Sequence, residues 1–265
     1  MDAGLMRNFI FWLWICANAF AQTENIIPLP MPEPMETKPA IVIAGKTILE
    51  SPKSNQIFDQ NEVEIFIRTE GGNTDPAQNR FHIFLDRGGP MLHEDERRPL
   101  ILKNLSDGGH IVRVVAIQAN GQAYPLPDSY AAARFFIKKK DLKNFEDLRK
   151  PYITVNLPSN DIAAPDEQGR ICMDFLVHNA KLSEDGYQLR YRLDQFEAIL
   201  NNDQPVYWND VSTGRHTLTV ELLEPSGNPA LGLLSKVQRK FEVAPILQPL
   251  PQFQPLNSED PPPED

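Results

Sequence analysis

The chain has 265 residues, a formal net charge of −10 and a hydrophobic fraction of 41%. That acidity disfavours nucleic acid and anionic membrane surfaces as partners, because both attract a cationic face. Only Cys16 and Cys172 are present, so once an N-terminal leader is removed no intrachain disulfide can form.

The leader is residues 1–21, MDAGLMRNFIFWLWICANAFA: one Arg, an apolar run from Phe9, then Ala19 and Ala21. That layout predicts a secretory signal peptide cleaved before Gln22. The run falls short of the ~20 residues that span a bilayer, so no membrane span is expected after cleavage. Initiation at Met6 would set Arg7 beside the start, a more typical layout. Ile15 before Cys16 disfavours lipid attachment there. An exported chain without disulfides points to a bacterial periplasm or cell surface, where a large core replaces crosslinks.

Proline marks both ends. Residues 22–38 read as a Pro-rich linker and residues 244–265 as an acidic Pro-rich tail ending NSEDPPPED. With Pro39, these ends carry twelve of the 24 prolines. Alternating proline removes backbone donors and favours extended tethers over packed structure.

Between the tethers one phrase occurs twice. LSDGGHIVRVVAIQANG (105–121) matches VSTGRHTLTVELLEPSG (211–227), so Gly108, His110 and Gly121 correspond to Gly214, His216 and Gly227. Pro99 with Pro205 and RFFI (134–137) with KFEV (240–243) keep the same offset of 106 residues. Asp86 and Asp194 are 108 apart, and the openings PAIVI (39) and PYITV (151) are 112 apart. Drift of that kind suits loop variation between two copies of one fold.

Short strands separated by Gly-rich turns fill each copy. The first predicts strands at 40–43, 63–68, 81–85, 100–105, 111–118 and 133–137. The second predicts them at 152–156, 171–177, 188–193, 206–211, 217–223 and 237–243. The fold class is therefore all-β, with tandem immunoglobulin-like β-sandwiches at 39–137 and 151–243. Residues 138–150, opening with Lys138-Lys139-Lys140, read as a solvated linker with a short helical turn.

Strand alternation places the repeated histidines. His216 shares a face with Leu218, Val220 and Leu222, and His110 with Val112, Val114 and Ala116. Each imidazole thus opens a core-facing row at the rim. No second His or Cys recurs at ligand spacing, so the reading is structural, with no metal or cofactor expected.

At these residues the chain resembles bacterial immunoglobulin-like and fibronectin-III-like modules. Their closing phrase runs L-x-D-G-x-H-T-V-T-V-x-A-x-D-x-x-G-N before a strand ending Phe-x-Val. The resemblance covers the second half of each copy and implies a sandwich; the scaffold itself hosts many functions. The Asp of the family's A-x-D segment is missing, with Gln118 and Glu224 nearby, so calcium binding does not carry over.

Other candidates are bland. Asp86 and Asp194 read as turn caps, His93–Arg98 (HEDERR) as a self-compensating loop, and Cys172 as a small filler. Trp208, with Tyr207, Tyr191 and Tyr187, could line a glycan strip. Trp208 aligns with Leu102, however, which favours packing. No phosphate loop, nucleophile elbow or zinc signature occurs. The expected function is a non-catalytic exported spacer or interaction protein whose partner is a protein or cell-envelope component. The alternatives are a glycan- or ligand-binding module and, last, an enzyme.

Overall fold

The computed structural model describes residues 45–71, 79–141, 146–159 and 161–244. The leader, most of both tethers and the strand expected at 40–43 lie outside them. Among the described residues the regular structure is β-strand, apart from one 3-10 turn at Pro127–Ser129. The described part of the linker holds a turn near Leu148 and no helix. No described helix is long and apolar enough to cross a membrane.

The first copy comprises β1 (Lys46–Ser51), β2 (Ile57–Phe58), β3 (Val63–Glu70), β4 (Arg80–Leu85), β5 (Met91–His93), β6 (Leu100–Leu102), β7 (Gly108–Ile117) and β8 (Tyr130–Ile137). The second comprises β9 (Tyr152–Leu157), β10 (Ile162–Ala163), β11 (Ile171–His178), β12 (Gln188–Leu193), β13 (Phe196–Leu200), β14 (Val206–Trp208), β15 (Gly214–Leu223) and β16 (Lys236–Val243). Each copy has one three-stranded and one five-stranded sheet. The orders are β1-β3-β6 with β2-β8-β7-β4-β5, then β9-β11-β14 with β10-β16-β15-β12-β13. Pairing is antiparallel except β2 with β8 and β10 with β16. The strand order is therefore written twice, strand for strand, and defines two immunoglobulin-like sandwiches.

Two separate cores confirm the duplication. One gathers Ile65, Phe81, Val112, Val114 and Phe135; the other gathers Met173, Tyr191, Trp208, Leu218 and Phe241. Alternating side chains of facing sheets supply both, as a half-buried strand requires.

The structure corrects the expected match of the two openings. The partner of β9 is β1, and Leu49 and Val155 occupy the same place at the offset of 106 found in the second half. Both strands carry one bulged residue, Glu50 and Asn156, just before Ser51-Pro52 and Leu157-Pro158. The drift thus belongs to the loops between first and sixth strands, while the first strand keeps the main offset. Strands β1, β2, β5, β10 and β13 stand where the sequence led to no expected strand. They are short or edge strands, where few β-branched residues mark the chain.

Candidate functional site: the seam between the sandwiches

The repeated histidines lie at equivalent rim positions. His110 Nδ1 meets Asp86 Oδ2 at 2.8 Å, and its Nε2 meets the Ser106 carbonyl at 2.8 Å. His216 repeats this with Asp194 at 2.7 Å and the Ser212 carbonyl at 2.8 Å. The other carboxylate oxygen accepts the next backbone N–H, Ile111 at 2.9 Å and Thr217 at 2.8 Å. In both clasps the ring nitrogens face oxygen atoms, one of a carboxylate and one of a backbone carbonyl. Each imidazole also faces a core phenylalanine, Phe135 or Phe241, with centroids 5.6 Å apart.

Asp86 and Asp194 can hold this clasp because they sit at φ near +50°, in the turn after the fourth strand. Asp tolerates that left-handed region better than most residues. Gly108 and Gly214, at φ +113° and +126°, start the strand that delivers the ring. Sequence reasoning placed the two halves of the clasp and did not join them. The signal was that both an Asp and a His recur, from adjacent strands. No cluster able to hold a metal ion occurs among the described residues.

The chemically dense region is elsewhere, where the outer face of the first five-stranded sheet meets the outer face of β9 and β11. Two apolar clusters close it. Phe84, Val115, Ile117 and Ala123 pack with Leu176, and Ile111 packs with Tyr152 and Leu234. Between them lies Arg113, only 1% exposed. Its guanidinium donates to the Thr154 hydroxyl at 3.0 Å and to the carbonyls of Ile153 and Asp86 at 3.3 and 2.7 Å. It also lies 5.1 Å from the centre of the Phe84 ring. Three oxygen acceptors and a ring face replace much of its lost hydration, which a buried charge needs.

A second polar group links the same sheets. Asn156 contacts His82 Nδ1 at 2.5 Å and donates to the Gly121 carbonyl at 2.8 Å and Asp174 at 2.6 Å. Asp174 in turn accepts the Ala123 N–H at 2.8 Å. Burial pushes the Asp174 carboxyl up to about 6, against the pull of those donors. His178, between the Tyr130 and Tyr152 rings at 4.0 and 4.5 Å, is pushed down to about 3 by burial and then by the Arg113 charge. Burial lowers His82 as well, against the pull of Asn156. The linker joins in: Glu146 accepts the Leu234 N–H at 2.8 Å. Glu146 is therefore buried, not part of a solvated linker.

The nominated aromatics do not form a strip. Trp208 and Tyr191 are 6% and 2% exposed, in the second core, 5.7 Å apart. Tyr187 packs against that core's edge. Tyr207 turns to the seam, where its hydroxyl accepts Gln122 at 2.8 Å. Trp208 and Tyr191, packed in a core, present no face to a sugar, so they cannot contribute to a glycan strip. Cys172 also faces Gln122, at 3.5 Å, and its thiol is pushed up to about 12 by burial, which suits no nucleophile. In the HEDERR loop, Arg97 beside half-buried Asp95 holds its carboxyl down to about 2. A shallow hollow near Asn209–Thr213 has Asp210 as its one titratable lining residue among those described.

No family model and no curated protein match the sequence. Among solved structures, the chain is similar to the fibronectin(III)-like modules of Clostridium thermocellum CbhA. Identity is 12% over 74% of this chain and 93% of that one, with a TM-score of 0.28. The central fibronectin-III array of RIM-binding protein matches at 11%, covering 78% and 71%, with a TM-score of 0.25. The Bacteroides ovatus mixed-linkage glucan utilization locus protein SGBP-B, solved with a heptasaccharide, matches at 8%, covering 75% and 70%, with a TM-score of 0.24.

Proposed function

We propose that this chain is an exported, non-catalytic pair of immunoglobulin-like modules that holds a bacterial envelope or surface component at a set geometry. The observation that carries this reading is the seam. Tandem modules that merely string along a chain have no need to bury an arginine, an aspartate and a histidine between them, with a second histidine half-buried beside them. Buried polar groups with matched partners specify one docking arrangement, because any slip strands them without partners. Support for export comes from the leader at 1–21, and for a spacer from the Pro-rich ends. Domain limits of 39–137 and 151–243, and a structural role for His110 and His216, belong to the same proposal.

The test is a distance distribution between one spin label on each sandwich, at exposed Lys103 and Lys240. A rigid pair gives one narrow distribution; a broad one would refute the spacer reading. Crosslinking of the mature chain in its native envelope then identifies what it holds.

A further inference from the structure

The seam joins the two sandwiches through groups that titrate, and those groups come from both. His82 on β4 meets Asn156 on β9, and beyond it Asp174 on β11. His178 on β11 faces Tyr130 of β8, Tyr152 and Thr154 of β9, and the Arg113 charge of β7. Asp174 faces the Ala123 N–H, Asn156 and the Cys172 thiol. Around this set, Asp86 and Glu146 act on Arg113, Asp166 acts on Cys172, and Arg170 lies over the Tyr207 ring. Separating the sandwiches would return His82, His178 and Asp174 to water while leaving each core whole.

We propose that the seam is a proton-responsive joint, in which charging His82 and His178 drives the sandwiches apart and Asp174 opposes them. This rests on the reading of the seam as the device that sets the modules' geometry. The signs follow from linkage. A histidine lowered in the closed seam stays neutral there, so closure is lost as pH falls through the ordinary histidine range. For His178, moved from 6.5 to about 3, going from pH 7 to 4.5 multiplies the open-to-closed ratio by roughly 70. Asp174, moved from 3.8 to about 6, favours the closed seam when protonated, and offsets that by roughly 25-fold. His82 adds to the opening side. The two titrations oppose one another, so the wild-type joint responds to acid less than either set of groups would alone.

Cys172 is a built-in reporter, since its thiol abuts Gln122 of the other sandwich. The experiment uses the full chain with Cys16→Ser, Trp12→Phe and Trp14→Phe, which leaves Cys172 and Trp208 as the reporters, and follows 4,4′-dithiodipyridine reaction, normalised to glutathione at each pH. From pH 7 to 4.5 the wild type's change in relative reactivity is expected to lie between those of the two variants that follow. Asp174→Asn raises it to roughly 70-fold or more, while His82→Gln with His178→Gln reverses it, with reactivity falling in acid. The opposite slopes of the two variants are the signature that a merely structural role would not give. Equal slopes in all three proteins would overturn the proposal. So would loss of the far-UV signal or a shift in Trp208 emission alongside thiol exposure, because opening would then be global unfolding. A Cys172 that already reacts like glutathione at pH 7 would instead sink the rigid-pair reading itself.

Discussion

The outer row of β7 and the outer row of β15 are the same four positions in two copies of one fold. In the first copy they are Ile111, Arg113, Val115 and Ile117; in the second, Thr217, Thr219, Glu221 and Leu223. Their inner rows are alike, each starting at a clasped histidine and continuing with aliphatics. The first outer row is buried throughout; in the second Thr217 and Thr219 are half-buried, while Leu223 is buried and Glu221 is buried and tied to Arg190 and Lys236. One fold thus carries a sheet covered on both faces and a sheet wet on one face. The difference is written in the residues that a core argument ignores.

The strongest way to break this comparison is to give the first copy the second copy's outer row. Ile111→Thr, Arg113→Thr and Val115→Glu together should abolish docking and leave both sandwiches folded. A loss of about 3–5 kcal/mol is expected for the seam, since a buried charge network and two apolar clusters go with it. Denaturant unfolding followed by Trp208 emission and by labels on the first copy should then split into two transitions. A single, coincident transition in the variant would show that the outer row does not couple the modules.

A sharper, smaller test compares the two clasps. Asp86→Ala and Asp194→Ala each remove the acceptor of one imidazole and one backbone N–H, so each should cost about 1–3 kcal/mol. The first should cost more, because the Asp86 side chain is 25% exposed and Asp194 43%. Midpoint shifts in urea measure both. Equal shifts would show that burial does not grade the clasp. A null result in both would remove the histidine from the list of groups that hold the rim.

Much of this architecture was legible because periodicity reports one face of a strand well. The alternation of His216, Leu218, Val220 and Leu222 located a core row, and the core is where it was expected. The seam was not legible for two reasons. Thr154, Asn156 and Asp174 alternate with core residues as a solvated face would, and nothing local reveals that another module covers them. On β7, a continuous apolar run broken only by Arg113 was the available signal, and it was read for its inner face alone. The clasp escaped because its two residues are 24 and 22 positions apart in the two copies, bridged by loops of different length.

The smallest expected effect is the control that gives the comparison its meaning. Thr219 stands where Arg113 does, between Arg192 and Gln238 in the sheet register, as Arg113 stands between Phe84 and Ala132. Thr219 is half-buried where Arg113 is 1% exposed, so Thr219→Ala should change stability by less than about 0.5 kcal/mol. It should also leave the label-to-label distance unchanged. Arg113→Ala, at the matching position, should broaden that distance and cost several-fold more. If Thr219→Ala proved as damaging as Arg113→Ala, the outer row would matter for the fold of each sandwich. Docking would then no longer explain why the first copy departs from the second.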